Sequence, residues 1–232
     1  MWTGEGADPG PQAGIHNEKA EQSQREAAFW HVADIMDLSD DAPRCELLFL
    51  DGKPVACMEF LGGSYDSLEN LRESDHGKMI RVLEEYRDRG RIHQWAVLDA
   101  VLGNVDRHFG NVLIDEDGTV KLIDHGSTFA GKGFDPAGDK ATFLPCYLRY
   151  RTPVIKDLHE MTPEDRMRKL ELAPQDKRPM LRAWLDGIDE ASLRVVIAGY
   201  GINPEPSIAR LRDLKGSSEP VDVAVCRFWA ET

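Results

Sequence analysis

Two Asp-Gly pairs constrain this chain most. Asp51-Gly52 lies between the short apolar runs 45–50 and 54–60, and Asp117-Gly118 lies between 112–114 and 120–123. Asp-Gly accepts the positive φ values of a tight reversal, so each stretch predicts a β-hairpin. Around the hairpins the period is helical. Over 22–38, Ala28, Val32, Ile35 and Met36 recur at three- and four-residue steps, with Phe29 and Trp30 widening the face. Gly62-Gly63-Ser64 breaks the pattern, and the charged stretch 66–90 keeps Met79, Leu83 and Tyr86 on one helical stripe. A more apolar helix over 92–102 stops at Gly103. Further helices are expected over 163–172 and 179–187, from an Asp189 cap to Ala198, and from a Ser207 cap to Leu214. Residues 221–229 fit either a helix or a strand. The fold class is α+β.

The chain has 232 residues, enough to bury a real core, and its 41 acids exceed its 28 bases for a formal net charge of −13. That balance argues against general nucleic-acid binding, which needs surplus Lys and Arg for phosphates. The cysteines Cys45, Cys57, Cys146 and Cys226 form no C-x-x-C pair, so buried reduced thiols are expected. No apolar run approaches the ~20 residues of a membrane helix. Residues 1–18 carry no basic or apolar leader pattern, and the protein reads as cytoplasmic.

The chemistry concentrates in Gly103-Asn104-Val105-Asp106-Arg107-His108-Phe109-Gly110-Asn111, followed by the second hairpin and then Asp124-His125-Gly126. Phosphoryl transfer from ATP requires a carboxylate to receive the acceptor hydroxyl's proton. It also requires an amide oxygen and a second carboxylate to hold Mg²⁺ against the phosphates. A loop after a helix and a hairpin ending in Asp-x-Gly can bring these three groups together.

Asp-Arg-His-x-x-Asn followed by Asp-x-Gly resembles the catalytic and metal-binding loops of the phosphatidylinositol 3-/4-kinase-like family, particularly its small bacterial members. The helix Trp95-Ala96-Val97-Leu98-Asp99-Ala100-Val101-Leu102 before the loop is similar as well. The resemblance implies a two-lobed protein-kinase-like fold, with a reduced first lobe over residues 1–61 and a mainly helical second lobe over 62–232. It implies ATP and Mg²⁺ as cofactors and a lipid head group or protein hydroxyl as acceptor, with peripheral membrane contact left open. Asp106 would be the catalytic base, His108 a helper near the transferring phosphoryl, and Arg107 a third member of the catalytic set that braces the loop. Asn111 and Asp124 would be the metal ligands. Glu26 resembles the glutamate that pairs with an ATP-binding lysine, and Met58, Phe60 and Leu61 resemble the hinge that sandwiches adenine.

One part of the family pattern is missing. No Gly-rich loop or lysine-bearing strand precedes the first helix, Lys19 lies in a polar segment, and Lys53 sits in the wrong hairpin. Three explanations stay open: a late start, a minimal lobe, or a catalytically impaired pseudokinase or binding module. A metallophosphoesterase opened by Asp106-x-His108 is a further reading, although its Gly-Asp and Gly-Asn-His turns are missing. Residues 127–155 occupy the place of an activation segment, with Lys132, Lys140, Arg149, Arg151 and Lys156 in or beside it. The first-lobe sheet is expected to leave an apolar edge uncovered, since a lone hairpin is marginal in water.

Overall fold

The computed structural model describes residues 22–130, 144–152 and 161–231. It begins with helix α1 (Gln22–Ile35), which buries Ala27, Ala28, Phe29, Val32 and Ala33. The helix stops short of Leu38 because Asp37 turns left-handed at φ 58°, and Leu38 N–H then reaches back to the Ala33 carbonyl at 2.7 Å. This closing motif satisfies the last carbonyls of the helix.

Strands β1 (Cys45–Leu50) and β2 (Lys53–Met58) form the first hairpin, in antiparallel register from Cys45 opposite Met58 to Leu50 opposite Lys53. Asp51 at φ 51° and Gly52 at φ 78° make the reversal. Its inner face packs on α1 through Cys45, Ala56 and Ala27, with Leu47 and Trp30 alongside. The outer face and tip stay open: Leu48 and Leu50 are exposed, as are Phe49 at 66 % and Phe60 at 90 %.

The stretch 66–90 is not one helix. Strand β3 (Asp66–Ser67) leads into α2 (Leu68–Ser74), whose first turn is capped by Ser67 Oγ. Asp75 then ends α2 and caps α3 (His76–Asp88), accepting Lys78 N–H at 2.8 Å. An aspartate side chain bonded to the backbone competes with helix continuation, which divides the segment here.

Helix α4 (Arg91–Leu102) is buried on nearly every face and forms the centre of the core. Gly90 and Gly103, both left-handed, bound it at φ 79° and 61°. Strands β4 (Val112–Ile114) and β5 (Val120–Leu122) form the second hairpin, and β3 adds to β4 in the order β3-β4-β5. Val112, Ile114, Val120 and Leu122 all point into the core.

The remaining α-helices among the described residues are α5 (Pro163–Met167), α6 (Arg178–Gly187), α7 (Glu190–Gly199), α8 (Glu205–Gly216) and α9 (Val221–Glu231). Asp189 caps α7 as expected, accepting from Ala191 and Ser192. Two expectations change and one open alternative is resolved. The helix over 163–172 ends at Met167, because Leu170 turns into the core and Glu171 N–H bonds the Leu148 carbonyl at 2.8 Å. Ser207 does not cap α8, since Pro206 suits the first turn and the helix already begins at Glu205. Residues 221–231 are a helix, with Val221, Val225 and Trp229 on its buried side. The result is an α+β molecule in which a hairpin and α1 sit against a helical body.

Candidate active site

Between the first hairpin and the second lies a cavity of about 540 Å³. Gln22 and Glu26 of α1 form one wall, Ala56 and Met58 of β2 another, and Glu59, Phe60 and Leu61 continue that wall. Leu113 of β4 and Ile123 form the opposite side, and Asp124 stands at the junction. All four residues expected around a nucleotide, Glu26, Met58, Phe60 and Leu61, therefore line one cavity with Asp124. Glu59 lies within the same hinge-like run, and sequence reasoning missed Gln22, Ala56, Leu113 and Ile123. Leu113 was readable, because strand alternation turns it away from the core that takes Val112 and Ile114.

The loop after α4 folds on itself through short bonds. Asp106 C=O accepts from His108 N–H at 3.0 Å and from Asn111 Nδ2 at 2.8 Å. Asn111 C=O accepts from Ile123 N–H at 3.1 Å, which ties this loop to the residue before Asp124. With Nδ2 spent on Asp106, the side-chain oxygen of Asn111 is the atom left for a cation. The Asp106 carboxyl, half exposed, has a pKa above its ordinary value. Partial burial leads, the nearby Asp124 charge adds, and His108 and Arg107 pull the other way. His108 Nδ1 accepts from Gly110 N–H at 3.0 Å, which leaves Nε2 as the protonated nitrogen, 3.9 Å from Asp106 Oδ1.

Arg107 does not reach the cavity. It is buried, and its donors go to both Asp99 oxygens, to the carbonyls of Asn111 and Ile123, and to His125 Nδ1. A guanidinium with its bonds committed internally braces the loop and has no donor left for the cavity.

Asp124 adopts a left-handed backbone at φ 54° and is exposed. His125 turns inward and stacks on Phe29 with centroids 3.4 Å apart and planes 4° from parallel. Its Nε2 donates to the Leu122 carbonyl at 3.1 Å. Burial first, and the Arg107 charge second, hold it neutral, with a pKa well below the usual histidine value. A side chain at Gly126 would collide with Gln22, and its N–H donates to Glu26 Oε1 at 2.7 Å.

Glu26 is therefore not a solvated first-turn residue. Its Oε2 is buried without a hydrogen-bond partner among the described residues. Burial, and then the Asp124 charge, push its pKa up to about 7. No Lys or Arg is among the described residues that line the cavity. Lys53 is exposed beside the first hairpin's turn, and Lys19 lies outside the described residues.

Of the basic residues near the activation-like segment, Lys132, Lys140 and Lys156 also lie outside the described residues. Arg151 is taken up by Glu84 and Glu171, and Arg149 is buried against the ring of Phe109.

The family model of phosphatidylinositol 3- and 4-kinase matches residues 10–169, most of the chain, spanning the first hairpin, the 103–111 loop and Asp124. No curated protein matches it. The chain belongs to the phosphatidylinositol 3- and 4-kinase family.

Proposed function

We propose that this protein is a two-lobed, kinase-like phosphotransferase that moves the γ-phosphate of ATP to a hydroxyl of a lipid head group or a protein. Residues 1–61 act as the reduced first lobe and 62–232 as the second. The observation that carries the reading is the joining of an apolar, nucleotide-sized cavity to the Asp106–Asn111 loop at Asp124. Met58, Phe60, Leu61 and Ala56 offer apolar surface on one side of the cavity, and Leu113 and Ile123 on the other. A flat base fits between such walls.

The donor set for a cation is one amide oxygen, Asn111 Oδ1, and one exposed carboxylate, Asp124. That suits Mg²⁺, which takes hard oxygens and completes its shell with phosphates and water. When bound, Mg²⁺ supplies positive charge against the phosphates. No cluster of three or more His, Cys, Asp or Glu able to hold a metal exists among the described residues, so the metallophosphoesterase reading has no donor set there.

In the reaction, the acceptor oxygen forms a bond to the γ-phosphorus. The bond from that phosphorus to the bridging oxygen breaks, and its electron pair leaves with ADP. Asp106 receives the hydroxyl proton, and its raised pKa makes it the better acceptor. His108 Nε2–H, on the exposed side of the loop, can donate to a phosphoryl oxygen.

Asp124→Asn should abolish Mg²⁺–ATP turnover and weaken Mg²⁺–ADP binding. Asp106→Asn should lower turnover by about 10²-fold or more with nucleotide affinity retained. Steady-state ATP hydrolysis and ADP titration read the two effects. Equal loss of ADP binding in both variants would contradict the roles.

A second reading, a binding module without turnover, rests on Glu26 Oε2 and the absence of a described cation lining the cavity. Mg²⁺–ADP binding without hydrolysis would select it. The acidic net charge of −13 keeps nucleic acid out of both readings. A cytoplasmic site of action is part of the first.

A further inference from the structure

Asp99 lies in the middle of α4, on a helix otherwise filled with apolar side chains, and its own side chain is 0 % exposed. A carboxylate so far from water is costly unless its oxygens are fully paired. Oδ2 accepts from Arg107 Nε at 3.0 Å and from the Tyr147 hydroxyl at 2.7 Å. Oδ1 accepts from Arg107 Nη2 at 3.2 Å and from Asn104 Nδ2 at 2.8 Å. Asn104 passes the restraint on, since its Oδ1 accepts Asp106 N–H at 3.0 Å. One side chain thus reaches the backbone of Asp106 through a single intermediary.

Tyr147 arrives from the other side of the long segment that follows Asp124. Its neighbour Cys146 donates its N–H to the Arg107 carbonyl at 3.0 Å, so 144–152 docks on the catalytic loop through backbone and side chain together. The ring meets Trp95 edge-on, with centroids 5.5 Å apart. Burial first, and the Asp99 charge second, keep the phenol protonated and therefore a donor. An ion pair needed only for folding would be complete with Asp99 and Arg107. The bonds from Asn104 and Tyr147 add direction to the loop.

We propose that Asp99 and Tyr147 are positioning residues for phosphoryl transfer. Asp99 clamps the 104–111 loop through Arg107 and Asn104, and Tyr147 couples that clamp to residues 144–152. The proposal rests on the phosphotransfer reading above and deepens it. Neither residue touches the cavity; both act by fixing where Asp106 stands, and small misplacements of a reacting group cost large factors in rate.

The test is Tyr147→Phe in the full chain, which removes one hydroxyl and leaves the Asp99–Arg107 pair intact. Three quantities are read: amide hydrogen exchange over 104–111, affinity for Mg²⁺–ADP, and ATP hydrolysis. Exchange over 104–111 should quicken roughly tenfold while α4 stays protected. The turnover number should fall roughly tenfold, with KM for ATP and the affinity for ADP within about twofold. Asn104→Ala should reproduce this split by the other route, and it serves if the tyrosine variant does not fold. Unchanged exchange over 104–111, or a parallel loss of turnover and ADP affinity, overturns the inference. If the unaltered chain neither binds Mg²⁺–ADP nor hydrolyses ATP, the phosphotransfer reading falls and the positioning role falls with it. Unchanged exchange in an active enzyme removes the clamp alone.

Discussion

The two hairpins share a turn dipeptide and an antiparallel pattern, yet they live in opposite surroundings. In β4–β5 the side chains of Val112, Ile114, Val120 and Leu122 are buried, and the open end of the hairpin, opposite its turn, carries both the 103–111 loop and Asp124. In β1–β2 only the face toward α1 is covered, and Leu48, Phe49 and Leu50 stand in the open. Asp-Gly specifies a reversal in both places, but what the strands pack against decides whether they belong to the core. The second hairpin is fixed in the core. The first forms a wall of the cavity and is held mainly by one helix.

The largest effect that separates the hairpins is core truncation. Leu122→Ala should cost about 2–5 kcal/mol of stability, through lost burial and the cavity left behind. Leu48→Ala, on the open face, should stay within about 0.5 kcal/mol. Urea unfolding midpoints at constant slope read both. Similar losses at the two sites would mean that β1–β2 is covered in solution and would end the contrast.

Acid sensitivity sharpens the comparison, because two buried histidines, His93 and His125, are shifted one way and Glu26 the other. His93 in α4 gives Nε2 to the Glu171 carbonyl at 2.8 Å, and its Nδ1 has no partner among the described residues. Burial, with Arg87 and Arg178 adding, lowers its pKa from 6.5 to about 4. The unfolded chain therefore holds the extra proton between those values, and stability from His93 is lost as pH falls through that window. Glu26, in the half carrying the first hairpin, is shifted the other way, from 4.5 to about 7. There the folded state holds the extra proton, and stability is lost as pH rises. The His93 and Glu26 shifts each correspond to roughly 3 kcal/mol, and the Glu26 slope opposes those of His93 and His125. With His125 also held neutral by burial, the two histidines outweigh Glu26, and stability should rise with pH from about 4.5 to 6.5. Glu26→Gln should steepen that rise by up to about 1.4 kcal/mol per unit, and His93→Gln should flatten it by a similar amount. Denaturant titrations at several pH values measure this. A slope that Glu26→Gln leaves unchanged would show that Glu26 is wet, and one that His93→Gln leaves unchanged would show the same of His93.

How much of this was readable follows from where each signal sits along the chain. Both hairpins, the Gly103 stop and the Asp189 cap are encoded by adjacent residues, and they appear where those residues predict. Of the 103–111 and 124–126 motifs, Asp124 lines the cavity, and the Asn111 carbonyl is bonded to Ile123 beside it. Errors arose where a distant partner intervened. Glu171 left the helical path to pair with Leu148 and His93, which no local pattern announces. Asp99 looks like an ordinary helical aspartate until Tyr147, 48 residues on, is seen to donate to it. Glu26 was singled out by resemblance, but its burial and vacant Oε2 depend on Gly126 and the cavity floor 100 residues away.

The smallest effect tests the turns themselves. Gly52 sits at φ 78° and Gly118 at φ 86°, so alanine is strained at both, by roughly 1–2 kcal/mol. Space does not distinguish them: a Cβ at Gly52 meets nothing within 4 Å, and one at Gly118 meets Val82 at an ordinary 3.5 Å. Context should. The turn at Gly118 is tied into the molecule by Lys78 Nζ donating to the Asp115 carbonyl at 2.8 Å and by Thr119 N–H on Asp115 Oδ1 at 2.7 Å. It cannot relax without disturbing buried strands, so Gly118→Ala should register its full cost in global unfolding. The tip at Gly52 is exposed and flanked by exposed side chains, so it can fray locally. Gly52→Ala should lose only about half as much in global stability while hydrogen exchange near residues 50–53 quickens. Equal global losses would show that the first hairpin unfolds only together with the core.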